Sequence, residues 1–410
     1  MRSTEPRFRQ RVVWTAGLLV LLLGYGLLCL ADLLLARWLD RQITLANAPA
    51  RAIELRRAAQ QDVTQLAAAR ALGKRTMLFP ALFEQAAFQA IARRHGVLPL
   101  GTQPSAALVF CNEGTGLVTY VSDRFGFRNP DAAWDVPKVA VALLGDSFVQ
   151  GACVADQHTM ASRLAAAGHS VVSLGTSGNN GLMYAAVARA FLPALRPRHA
   201  VMVFYANDNE DEEGSALRPL ALPESPDYVA REGDRLRPGP AYQRLVPVWA
   251  EGEAEAQRQI AGSEGGLDSL AGAGAAADAR RLPKWLALTT LRTVARSAYK
   301  RWSGGALPWS SRLAIDALAE HCQPAGCQPI LVYIPNSSFW RPDPRADGYR
   351  QALRAHAAQY YPSMEWLDPS PQLAELGMAA YAPMGAHLSM AGYAVVAKAI
   401  DSALQRGARR

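Results

Sequence analysis

From Val139 to the C-terminus, short apolar runs alternate with amphipathic stretches of helix length, and that rhythm leaves few folds open. Strands are expected at 139–144, 170–174, 200–205, 329–334 and 364–368, with helices at 158–168, 181–194, 310–323, 347–360 and 389–405. A parallel neighbour needs a crossover connection, and these helices have the length to supply one. The expected fold is α/β, a doubly wound (flavodoxin-like) parallel sheet of about five strands with helices on both faces. Residues 209–309 interrupt this domain between two consecutive strands by far more than an ordinary crossover. The domain is therefore read in two parts, 139–208 and 310–410.

The N-terminal region has a different character. Residues 1–11 form a short arginine-bearing tail, and 12–36 are almost wholly apolar. At about 1.5 Å per residue such a helix spans a bilayer core of about 30 Å. It exceeds an ordinary signal-peptide core, and no small-residue cleavage site follows, so the reading is an uncleaved anchor with a cleaved signal as the alternative. Arg2, Arg7, Arg9 and Arg11 favour a cytoplasmic tail, although Arg37, Arg41, Arg51, Arg56 and Arg57 blunt that asymmetry. Residues 37–95 read as a helical stalk. Residues 96–138 carry Gly, Pro and Asn between short strand-like runs, and are expected to form a lid or edge on the sheet.

Inside the insertion, Glu251 to Arg280 is rich in Ala, Gly, Glu and Ser, too poor in large apolar residues to bury much area, and is expected to be a mobile loop. Residues 282–302 read as an amphipathic helix with basic residues and Trp at its ends, packed on its own domain or touching the membrane surface. The net charge of +8 comes without a basic run interleaved with aromatics, so no nucleic-acid partner is expected. Cys322/Cys327 and Cys111/Cys153 are candidate pairs, either disulfide-bonded or free and buried. No Cys/His spacing suggests a metal site, and nothing calls for a metal or organic cofactor.

The first strand ends in Gly145-Asp146-Ser147, placing a serine at the carboxyl edge of the sheet, where α/β folds put their sites. Ser147 is the candidate nucleophile. His387 stands at a loop-to-helix junction near the C-terminus and is the candidate base. The Ser147 N–H, Gly178 after the second strand and Asn207 after the third are candidate donors to an oxyanion. In their order along the chain, Gly145-Asp146-Ser147, Gly178, Ala206-Asn207-Asp208 and His387 resemble the four blocks of the SGNH (GDSL-type) hydrolase superfamily, over residues 139–208 and 310–405. Tyr120 to Pro130 (Tyr-Val-Ser-Asp-Arg-Phe-Gly-Phe-Arg-Asn-Pro) is similar to membrane-anchored members found with bacterial surface-polysaccharide machinery.

The resemblance implies a serine esterase or O-acyltransferase acting on acyl, foremost acetyl, esters of a glycan. It implies a single-pass inner-membrane protein with its catalytic domain in the periplasm, whose partners are an acylated glycan or acyl donor and polysaccharide-assembly proteins. Two positions depart from the family. Tyr205 stands where a glycine is usual, and Met384 replaces the aspartate that orients the histidine. His387 is then held by a backbone carbonyl, or by a carboxylate from elsewhere, with Asp368 the nearest in sequence. If neither holds it, the chain is a non-catalytic glycan-binding or assembly subunit.

Overall fold

The computed structural model of the chain describes residues 13–38, 75–76, 86–208, 217–233, 235–264, 288, 290–292, 294–295, 307–336, 344–383 and 385–408. The chain divides into two compact units, one of residues 1–52 and 260–304, the other of residues 53–259 and 305–410.

In the first unit a helix runs from Val13 to Trp38, and its most apolar window has a mean hydropathy of 2.5. Its 26 residues reach about 39 Å, enough to cross a bilayer. Both its valines and most of its leucines are exposed, as a lipid-facing helix requires. Asp32, the one acid in this helix, is buried and accepts a 2.6 Å hydrogen bond from the Leu291 N–H. Only Leu288, residues 290–292 and residues 294–295 of the amphipathic stretch 282–302 lie within the described residues.

The second unit contains ten strands among its described residues. In chain order they are β1 (Arg75–Thr76), β2 (Ala107–Cys111), β3 (Val118–Val121), β4 (Val141–Gly145), β5 (Val171–Gly175), β6 (His199–Tyr205), β7 (Val229–Glu232), β8 (Arg235–Pro238), β9 (Gln328–Ile334) and β10 (Glu365–Leu367). Five of them form a wholly parallel sheet in the order β10-β9-β6-β4-β5. All residues of β4 and β6 are buried, which is why both read as continuous apolar runs rather than alternating ones. The helix Trp309–Cys322 packs along Gly181–Leu195, and the helix Met390–Ala408 packs on Met160–Ala166. The mixed α/β class and the five parallel strands agree with expectation.

A separate sheet, in the order β1-β2-β3, and the hairpin of β7 and β8 complete this unit. Two regions differ from the sequence reading. The insertion begins with ordered structure, namely the β7–β8 hairpin and a helix over Pro240–Glu264. Its first turns bury Ala241, Leu245 and Val248, an apolar face that outweighs the small residues which follow. Residues 265–280, the rest of the expected loop, lie outside the described residues, as does most of the stalk.

Nor is the 96–138 segment a lid. Phe125 and Phe127 are fully buried, and the segment is hydrogen-bonded both to β5 and to the turn that follows Ser147. Asp123 is its hub. One carboxylate oxygen accepts from the Phe125 and Phe127 N–H groups at 2.8 and 2.9 Å, the other from Asn129 Nδ2 and Trp134 Nε1 at 2.8 and 2.7 Å. Burial pushes the Asp123 carboxyl up to about 6, against the pull of those four donors. Asn129 also exchanges hydrogen bonds with the Ser173 backbone in β5, fixing the segment to the sheet. Arg128 donates to the carbonyls of Gly151 and Val154 and to Asp156, with its guanidinium 5.1 Å from the Tyr120 ring centroid. A buried guanidinium is tolerated only when its N–H groups are used in this way. Polar residues that suggested an exposed edge are therefore the internal fasteners of the nucleophile turn.

Candidate active site

Ser147 follows directly on β4, in a single-turn helix, Ser147–Gln150. Asp146 caps that turn by accepting from the Phe148 N–H at 2.9 Å. Burial pushes the Asp146 carboxyl up to about 6, opposed first by that backbone bond and then by the charge of His387. Gly151 ends the turn in the left-handed conformation. A helix of one turn carries little macrodipole, so help for a developing anion comes from individual N–H groups rather than from a helix terminus.

His387 closes a loop tied back on itself. The Ala382 N–H donates to the His387 carbonyl at 2.8 Å, and Tyr381 bridges Leu388. Ser389 then caps the last helix, accepting from the Gly392 N–H at 3.2 Å. This hold sets the imidazole with Nε2 2.8 Å from Ser147 Oγ. Phe148 lies beside the ring, with centroids 5.1 Å apart, and itself stacks on Tyr205 at 4.2 Å. Tyr205 therefore supports the residue that walls one side of the base.

The acid that orients His387 is Glu113. Its Oε1 lies 2.8 Å from Nδ1 of His387, and its Oε2 accepts from the His387 backbone N–H at 3.2 Å. An ionised carboxylate can only accept, so Nδ1 carries the ring proton and the Nε2 lone pair faces the serine. Glu113 is buried, in the turn between β2 and β3. Asp368, the sequence candidate, is corrected by this geometry. It accepts from the Ser370 N–H at 3.1 Å and pairs with Arg350 at 3.6 Å. Asp368 follows β10, the edge strand three positions from β4, and at about 4.8 Å per strand it stands about 14 Å away. Met384 lies outside the described residues.

Glycine at 385 is required by this arrangement. A Cβ there would overlap the Glu113 carboxyl group. Gly385→Ala is therefore expected to push the acid off the imidazole and lower kcat about 100-fold, the scale of a displacement of about 1 Å in a catalytic constellation. Steady-state kinetics of the purified variant, with its melting temperature alongside, would check this.

Gly178 and Asn207 end at the same sheet edge as Ser147. Gly178 has φ +78°, a left-handed conformation that points the turn after β5 as no ordinary residue would. This turn is fastened to the nucleophile helix by Ser177, whose N–H donates to Gln150 Oε1 at 2.7 Å. Asn207 is exposed in the turn after β6. Its neighbour Asp208 is buried and fixes that turn, accepting from the Tyr205 N–H at 2.9 Å and from the Tyr184 hydroxyl at 3.1 Å.

Both candidate cysteine pairs are bridged, Cys111 to Cys153 and Cys322 to Cys327. Glu113, Cys153 and His387 place one ligand-type atom each within 4.8 Å of one another. The sulfur belongs to a cystine and has no thiolate to offer, so the cluster lacks the donor set of a zinc or iron site.

The missing signal for Glu113 was legible in one place. Cys153 follows Ser147 by six residues and Cys111 precedes Glu113 by two, so their pairing brings a carboxylate beside the nucleophile. No protein-family model matches the chain, and no curated protein matches it.

Proposed function

We propose that this chain is a membrane-anchored serine esterase or O-acyltransferase of the SGNH type, acting on acyl esters of a surface polysaccharide. The observation that carries the reading is the continuous line of hydrogen bonds from Ser147 through His387 to Glu113, 2.8 Å at each step. Ser147 Oγ attacks the ester carbonyl while His387 Nε2 takes its proton, and Glu113 stabilises the imidazolium that forms. The Ser147 and Gly178 N–H groups and the Asn207 amide receive the oxyanion. When the tetrahedral intermediate collapses, His387 returns the proton to the departing sugar oxygen and leaves an acyl-serine. Water or a second sugar hydroxyl then attacks that ester, with His387 again the base.

The strand order supports the finer reading of the fold. The connection from β4 leads outward to β5, and the next crosses back past β4 to β6. If every crossover is right-handed, successive helices fall on opposite faces, giving the doubly wound arrangement with its switch point at β4. Ser147 then stands at the position where such sheets bind ligands. The apolar helix and two cystines suit a domain held outside a bacterial inner membrane, in the oxidising periplasm. Acetyl as the acyl group, the glycan and assembly partners rest on the sequence resemblance. The binding-subunit reading depended on a histidine without an acid, and Glu113 supplies one.

The test is hydrolysis of 4-nitrophenyl acetate by the full chain in detergent, beside Ser147→Ala. Serine-dependent release of nitrophenolate supports the reading, and equal rates in the two proteins would sink it. An acetylated oligosaccharide supplied with an unacetylated acceptor then separates hydrolysis, which yields free acetate, from transfer, which yields an acetylated acceptor.

A further inference from the structure

The acid and the nucleophile of this site are carried by different sheets. Ser147 follows β4 of the five-stranded sheet, whereas Glu113 stands on the β2–β3 turn of the three-stranded sheet, with no strand ladder between the two among the described residues. The covalent link across that gap is Cys111–Cys153. Cys111 ends β2 two residues before Glu113, and Cys153 lies just past the nucleophile turn. Cys153 Sγ approaches Nδ1 of His387 to 3.9 Å, the same nitrogen that Glu113 engages. The turn is also clamped from the acid's side, since Thr115 Oγ1 donates to the Cys153 carbonyl at 3.1 Å. Cys153 itself has φ +60°, a left-handed conformation that a non-glycine residue keeps only where its surroundings impose it.

We propose that the Cys111–Cys153 cystine is a positioning element of the site, holding Glu113 against His387, an inference that rests on the esterase or acyltransferase reading above. The cystine sets the height of the β2–β3 turn over the imidazole. It also fills the space beside Nδ1 with an uncharged sulfur that cannot titrate or replace the carboxylate. Cys322–Cys327 closes a loop of four intervening residues at the far end of β9 and plays no such part.

The experiment is a double-mutant cycle on the full chain with 4-nitrophenyl acetate as substrate. Replacing both Cys111 and Cys153 by Ala is expected to lower kcat about 100-fold, with KM changed less than about threefold. The same replacement in a Glu113→Ala background is expected to cost less than about threefold, because the element acts through an acid already gone. Equal losses in the two backgrounds would mean a general structural staple and overturn the proposal, as would undiminished kcat in the first.

Should the variant fail to fold, reduction supplies the second measurement. In a chain carrying Cys322→Ala and Cys327→Ala, dithiothreitol gives two electrons and two protons to the remaining cystine, leaving two cysteine thiols and the cyclic disulfide of the reagent. Activity is expected to fall as the two thiols appear, with the near-ultraviolet circular dichroism retained, and to return on reoxidation. Full activity with Cys111 and Cys153 both reduced, or loss of fold together with activity, overturns the proposal. An unaltered chain with no Ser147-dependent turnover would instead defeat the parent reading, a distinct outcome.

Discussion

Ser147→Ala is expected to lower kcat on an acyl ester by about six orders of magnitude, the scale seen when a serine hydrolase loses its nucleophile. The hydroxyl is buried just past β4 and lies 2.8 Å from its base, which makes it the group placed for the attack. The substitution removes one oxygen from a turn fastened by Asp146, Gln150 and Arg128, none of which bonds through the Ser147 side chain. Folding should therefore survive, KM should change little, and the melting temperature should stay within a few degrees of the parent. Residual turnover above that floor, seen in progress curves at high enzyme concentration, would show that another nucleophile operates.

Glu113→Gln ranks second, with an expected loss in kcat of about four orders of magnitude. The glutamine keeps the shape of the side chain and its seat against Gly385 but loses the charge. An amide can turn its N–H₂ towards Nδ1, which moves the ring proton to Nε2 and leaves Ser147 facing a donor instead of a base. The imidazolium formed on attack would also lose its counter-charge. Because the effect lies in the tautomer, KM should be nearly unchanged while kcat falls, and initial rates against the Ser147→Ala floor separate the two. A loss of less than about tenfold would mean that the Glu113 contact is incidental, and that His387 works as a dyad with Ser147.

Much of the frame was legible in the sequence because it depends on local pattern. Each expected core strand falls within two residues of an observed one, most readily for β4, β6 and β9, which are near-continuous buried apolar runs. Ser147 and His387 were legible for a related reason, as each stands at the junction of a periodic element and a loop. Glu113 was legible only through the Cys111–Cys153 pairing, because nothing local marks it. It lies 34 residues before Ser147 on a turn of another sheet, and only the tertiary fold brings it to His387. Asp368 was chosen for its nearness in sequence, but the strand order carries it to the opposite side of the sheet. Composition hides the packing inside 96–138, the segment expected as a lid or edge. Asp123, Arg128 and Asn129 look solvent-seeking, yet each is buried and fully engaged with backbone groups that would otherwise be orphaned.

The most direct measurement is active-site labelling of the full chain with a fluorophosphonate, followed by peptide mass mapping. A serine oxygen made nucleophilic by its neighbour attacks phosphorus and expels fluoride, so the adduct marks the activated residue whatever the natural ester. The triad predicts one adduct, on Ser147, formed much more slowly in Glu113→Gln and His387→Ala. An unlabelled Ser147, or labelling at the same rate in all three proteins, would contradict the account.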